Sequence, residues 1–156
     1  MASPQANIKD VESIDALLKT FYGVISGPAG KRDWNRFHSL FSPTAQMGAV
    51  PQATKETDSG FFSFTPLQYQ QNNTPLFEKS AFYEEEVGRT QSLFGNLASV
   101  QSGYQFKMEE KGKIIGNGVN YISLVKANGR WWITSLSWQQ TDKMTLMPVS
   151  LKSKKK

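Results

Sequence analysis

The stretch GRWWITSLSWQQTD, residues 129–142, decides the architecture. Successive residues of a β-strand point to opposite faces, so it reads as two columns. One holds Trp131, Ile133, Ser135 and Ser137; the other holds Trp132, Thr134, Leu136 and Trp138. A sheet with one wet face alternates apolar with polar. Here both columns open on tryptophan, so both faces of this strand call for cover.

Working outward, IIGNGVNYISLVK (114–126) precedes this stretch and forms a hairpin with it around Ala127, Asn128 and Gly129. A second hairpin joins AFYEEEVGRTQSLF (81–94) to LASVQSGYQFKM (97–108) through Gly95-Asn96, a pair suited to a type II′ turn. A two-residue loop sets Phe94 opposite Leu97, Arg89 opposite Ser102 and Val87 opposite Tyr104. A bulge at Gly88 would move the earlier pairs by one face. That matters for Glu84, Glu85 and Glu86, of which one column must look inward, with Glu85 on the face of Arg89 if no bulge intervenes.

The first half is helical. In residues 7–26, Val11, Ile14, Leu17, Leu18, Phe21 and Ile25 recur at steps of three and four, with Asn7 as cap and Asp10 in the first turn. Gly27 and Pro28 end that helix. Asp33 caps a shorter one carrying Trp34, Phe37, Leu40 and Phe41, which Pro43 closes. Residues 44–50 read as a strand, 51–60 as a loop and 61–64 as a short strand. Thr65-Pro66 opens a helix expected to reach Asn73, with a further turn over 74–80. Helices followed by a meander of long antiparallel strands define an α+β architecture.

With 156 residues, 38% apolar and 12% aromatic, the chain is a single folded domain. Residues 1–7 read as a flexible start, 8–142 as the domain, and 143–156 as an extension with a basic tail. Zero cysteines exclude disulfides and thiolate chemistry, and one histidine leaves no ligand spacing for a metal. The net charge of +5 includes Lys152, Lys154, Lys155 and Lys156, a solvated end that leaves the body near neutral. No basic stripe points to nucleic acid. No signal peptide or membrane-length run is present, so a cytoplasmic protein is expected.

The segments FYGVISGPAGKRDWNRFHSLFSP, FYEEEVGR, FGNLASVQSGYQF and GRWWITSLSWQ, taken together, resemble the nuclear-transport-factor-2-like superfamily over residues 8–142. The resemblance is to its SnoaL-like branch, with ketosteroid isomerase and scytalone dehydratase relatives. It implies a cone in which a curved antiparallel sheet wraps N-terminal helices around a cavity, and a homodimer formed by the outer sheet faces. In that arrangement Trp131 and Ile133 pack inward, while Trp132, Leu136 and Trp138 face the partner, since such a patch is seldom left in water.

The isomerase pattern needs a carboxylate base where this chain has Met47, Gly48 and Ala49, so the resemblance carries no base there. Its oxyanion donors fall near Phe21 or Tyr22 and near Asn120 or Tyr121. His38, four residues after Trp34, is the one imidazole and hence the expected acid or base, with Tyr22 or Asn120 polarising a carbonyl. Trp34, Arg89, Ser102, Tyr104, Trp131 and Ser135 are expected to line a small-molecule pocket. The expected function is binding of a small, largely apolar organic ligand, with cofactor-independent lyase, isomerase or cyclase chemistry as the catalysis it would support. The alternative is a non-catalytic dimerisation or partner-binding module. No cofactor, metal, nucleic acid or membrane enters either reading.

Overall fold

A computed structural model describes residues 3–52 and 60–152 of the chain. Most of the loop expected over 51–60, and Lys154, Lys155 and Lys156 of the tail, lie outside those residues. Among the described residues six strands form one sheet in the order β2-β1-β6-β5-β4-β3. They are β1 (Phe41–Val50), β2 (Phe62–Phe64), β3 (Tyr83–Phe94), β4 (Leu97–Lys107), β5 (Gly116–Ala127) and β6 (Arg130–Gln140). Four α-helices accompany them among the described residues: α1 (Ile8–Val11), α2 (Ile14–Ile25), α3 (Trp34–Ser39) and α4 (Pro66–Lys79). The sheet curves around the helices, and the core fills the space between: Leu17, Leu18, Phe21, Phe37, Leu40, Ile122, Leu124 and Ile133 are all buried. One pairing departs from the antiparallel expectation, since β1 runs parallel to β6. No described helix is long and apolar enough to cross a membrane.

The helical boundaries follow local chemistry. The single helix expected from Asn7 breaks at Glu12-Ser13, because the Ser13 hydroxyl accepts from the Ala16 amide at 3.0 Å and starts α2 afresh. Asp10 turns inward, where Arg36 donates two hydrogen bonds of 2.8 Å to its carboxylate and holds its pKa below the usual value. Phe41 belongs to β1 rather than to the helix before it, and Pro43 falls where the β1–β6 register shifts. Helix α4 continues through Pro75 to Lys79, past the expected end at Asn73. A capping box of Thr65 and Gln68 starts it, and burial of Tyr69 and Phe77 holds both its halves against the core. The missing amide of Pro75 leaves a carbonyl on exposed Gln71, where water can serve it.

Two bulges decide the facing of the site residues. In β3, Glu86 pairs with Tyr104 and Gly88 with Gly103, so Val87 is the extra residue. Arg89 still meets Ser102 and Phe94 meets Leu97, but Glu86 rather than Val87 stands opposite Tyr104. Glu84, Glu86 and Arg89 therefore share the inner face, while Glu85 is exposed and accepts from Gln105. In β6, Ile133 pairs with Leu124 but Ser135 with Ser123, which makes Thr134 the extra residue. Past that point the parity reverses. Trp131, Ile133, Leu136 and Trp138 all face inward, and Trp132, Ser135 and Ser137 face outward.

The two-column puzzle of this strand is thus resolved within one chain. Leu136 is buried in the core and Trp138 packs edge-on against Phe64 and Tyr69, so neither forms part of an outer interface. Of the three expected interface residues only Trp132 lies outside, with the Arg130 guanidinium 3.5 Å over its ring. Ser135, expected in the pocket, is likewise on the outer face.

The first and last described residues both make contacts with the fold. The Ser3 hydroxyl donates to the Phe41 carbonyl at 2.8 Å. At the other end a 3₁₀ turn (Val149–Leu151) buries Leu151 fully on the outside of the sheet. It rests on Gly88 and Gly103, which pair across β3 and β4; a Cβ on either would come within 2.7 or 2.8 Å of the Leu151 carbonyl oxygen.

Candidate functional site

The mouth of the cone opens on a cavity of about 290 Å³. Its wall is mostly apolar and aromatic: Phe21 and Ile25 from α2, Met47 from β1, Tyr69, Leu76 and Phe77 from α4, Phe82 before β3, Phe106 from β4, and Leu136 and Trp138 from β6. The bulge at Thr134 puts the last two there. Polar points are few: Glu84, Tyr104, Asn120, Asn73 and Gln140. No lysine, arginine or histidine lines this cavity among the described residues.

Glu84 is the chemical centre of the cavity. It lies opposite Phe106 across the β3–β4 pair, and its backbone is clamped by Ser26, whose hydroxyl donates to the Glu84 carbonyl at 3.1 Å and accepts from its amide at 2.9 Å. The residue is half-buried because the cavity opens against it, yet its carboxyl group makes no hydrogen bond to any described residue. Desolvation pushes its pKa up to about 8. A carboxyl group that titrates near neutral pH can give or take a proton under ordinary conditions.

Tyr104 and Asn120 stand on the same inner wall, and Asn120 is the cavity end of a hydrogen-bond chain. Arg89 donates to Glu86 at 2.7 Å and to exposed Asp15 at 2.5 Å. The carboxylate of Glu86 can only accept, so the Ser102 hydroxyl donates to it. Tyr22 Oη and Ser102 Oγ are 2.7 Å apart, so the Tyr22 hydroxyl donates to Ser102 in turn. Tyr22 then accepts from Asn120 Nδ2 at 3.0 Å. This order leaves Asn120 Oδ1 for the cavity. Burial, above all, raises the pKa of Tyr22, Tyr69 and Tyr104 well beyond the usual tyrosine value, so these phenols stay protonated.

The expected site residues therefore separate. Tyr104 and Asn120 line the cavity. Tyr22 and Ser102 sit behind Asn120, and Arg89 acts on them only through Glu86. The Tyr22 hydroxyl is engaged on both sides and is not free to polarise a carbonyl. Trp131 is core, and Trp34 stacks on Phe77 at 6.1 Å outside the cavity. His38 is also elsewhere: its Nε2 lies 2.6 Å from Gln70 Oε1, and its ring borders a groove shared with Ser3, Pro4 and Thr65. It does not line the cavity, where Glu84 is the one carboxyl group among the described residues. The sequence signal for Glu84 was the acidic triplet itself, but its facing depended on a bulge one residue from the glycine that hinted at it. Among the described residues no group of three or more His, Cys, Asp or Glu side chains is arranged to hold a metal.

A strongly curved sheet closed on its helices, with a cavity at the open end, defines the NTF2-like, cystatin-like cone. Comparison with known proteins supports that fold. A cystatin-like protein of unknown function from Nostoc punctiforme superposes with a TM-score of 0.64 at 13% identity, covering 83% of this chain and 90% of that one. An NTF2-like protein of unknown function from Pseudomonas putida gives 0.60 at 12%, over 89% and 93%. A candidate scytalone dehydratase from Novosphingobium aromaticivorans gives 0.57 at 12%, over 90% and 89%. No family model matches the sequence, and no curated protein matches it. At these identities the likeness is one of fold.

Proposed function

We propose that the cone cavity binds a small, largely apolar organic molecule and that Glu84 exchanges a proton with it. The observation that carries this reading is a carboxyl group set in an aromatic wall, with no hydrogen bond to any described residue and no lysine, arginine or histidine among the residues that line the cavity with it. Leaving such a group unpaired is unfavourable for folding, and sites that keep one tend to use it. Proton transfer of lyase, isomerase or cyclase type needs no cofactor in this scheme. The Tyr104 hydroxyl would hydrogen-bond the polar end of the ligand, and the aromatic wall would exclude water and hold its apolar body. The candidate scytalone dehydratase of the same fold is consistent with such chemistry. A cytoplasmic setting belongs to the same reading.

The methionines provide the test. Met47 and Met108 line the cavity, whereas Met144 is exposed. In a screen of small apolar compounds followed by methyl NMR of labelled methionine, ligands should move the Met47 and Met108 signals and leave Met144 in place. Binders that move neither cavity methyl would refute the reading.

A second reading, a homodimer or partner-binding module, draws on the outer face. Tyr121 pairs with Ser137, which pairs with Gly48, and the exposed Phe61 ring lies over Gly48. With Trp132 these residues put apolar surface on the outer face of the sheet, where a second copy would sit. Sedimentation should then show a dimer that Tyr121→Glu disrupts; a 17.5 kDa species in the unaltered protein would exclude it.

A further inference from the structure

The surroundings of Glu84 also bear on what kind of molecule fits. Phe106 lies directly across the sheet from it, Phe82 precedes it by two residues on the same strand direction, and Tyr104 lies diagonally beyond. The Phe82 ring is 5.6 Å from Phe106 and 5.4 Å from Phe77, so one side of the carboxyl group is a continuous aromatic surface. Such surfaces attract a positive charge, most strongly where water is excluded. The nearby charged groups offer Glu84 no partner. On its own strand Arg89 is committed to Glu86 and Asp15. Asp15, exposed Lys19, Glu85, Glu86 and Arg89 line an outer cleft that Glu84 also borders, and among the described residues none of them forms an ion pair with its carboxyl group. The phenols of Tyr22 on α2, Tyr69 on α4 and Tyr104 on β4 lie near Glu84 and are neutral. Lys19 on α2 is exposed at the outer cleft, and Arg32, 4.9 Å over the Phe77 ring, is engaged by the carbonyls of Ile25, Gly27, Pro28 and Gly30.

We propose that the ligand of this cavity is a lipophilic amine whose ammonium group seats on the Glu84 carboxylate against the Phe82, Phe106 and Tyr104 rings. The inference rests on the cavity being the ligand site. An ammonium group supplies the counter-charge that the fold omits, and the aromatic wall takes both the charge and the hydrocarbon. An anionic ligand meets the carboxylate without a compensating cation. A neutral ligand instead uses the protonated acid as a donor, which reverses the pH dependence. Because Glu84 titrates at about 8, seating a cation at lower pH expels its proton to solvent. Amine affinity should then fall about tenfold per pH unit below that value, while alkylammonium groups hold their own charge to about pH 10.

The experiment is calorimetric titration of the full chain with benzylamine, 2-phenylethylamine and 1-naphthylmethylamine, each beside its alcohol and carboxylic acid counterpart, at three pH values from 6 to 8. At the highest pH at least one amine should bind ten or more times tighter than its alcohol, and the acids should not bind. Glu84→Gln should erase that preference, and a cooperative thermal unfolding transition with the wild-type circular dichroism spectrum shows that the variant is folded. Alcohols that bind as well as amines, or that tighten as pH falls, overturn the amine proposal and leave the cavity reading standing. A chain that binds no member of the panel overturns both.

Discussion

Replacing Glu84 with glutamine should stabilise the protein in a pH-dependent way, and the size of the effect follows from its desolvation. The ordinary glutamate pKa of 4.5 rises to about 8 in the folded chain. Between those values the unfolded chain has released the proton that the folded chain retains, so native stability falls as pH rises. At about 1.4 kcal/mol per pH unit the full penalty is about 5 kcal/mol, present above pH 8 and absent below the unfolded pKa. Glutamine keeps the shape and has no charge to desolvate. Wild type and Glu84→Gln should therefore have similar stabilities near pH 4.5 and diverge steadily, the variant leading by about 5 kcal/mol at pH 9. For a chain of this length that corresponds to about 15 °C in Tm. Parallel urea or thermal unfolding of the two proteins across this range measures it, and taking their difference cancels His38 and every other titrating group they share. A difference that stays constant with pH would refute the desolvation of the Glu84 carboxyl group.

The remaining predictions concern the network, the bulge and the chain end. Tyr22→Phe removes the link between Ser102 and Asn120 and should lower stability by about 1–3 kcal/mol in denaturant titration, with Ser102→Ala adding less on top of it than alone. Trp138→Glu puts a charge beside Phe64 and Tyr69 inside the cone and should cost about 3–5 kcal/mol without changing the association state of the folded protein; a stable variant with altered sedimentation would return Trp138 to the outer face. Gly103→Val brings a side chain against the Leu151 carbonyl and should release the last turn, seen as faster amide exchange over 149–152 and a loss of about 2 kcal/mol. His38→Ala should leave ligand affinity in the cavity unchanged, since its ring borders a separate groove.

Much of the scaffold was legible because its signals are local. The 3–4 spacing from Val11 to Ile25, the Asp33 and Thr65 caps, and the Gly95-Asn96 turn each act over a few residues, and each names its element. The pairing of Arg89 with Ser102 followed from the turn alone. Elements whose ends depend on distant packing were less legible: α4 passes through Pro75 because Phe77 has a core to enter, and Leu151 is buried because two glycines far upstream leave room for it. The site suffered most. His38 drew attention by its chemistry, while Glu84 lay in a run of three like residues whose facing hung on one inserted residue.

By itself, then, the sequence determined the class of fold, the order of its elements and the aromatic inventory available for a core, since those rest on propensity, periodicity and turn chemistry. Only the tertiary structure decided which side of the sheet each residue occupies. An extra residue at Val87 or at Thr134 inverts every side chain beyond it, and no local preference announces which residue will be the extra one. Those shifts carry Leu136 and Trp138 into the cone and set Glu84 on the same inner face, so that residues of the expected dimer patch and one of the acidic run become walls of one cavity.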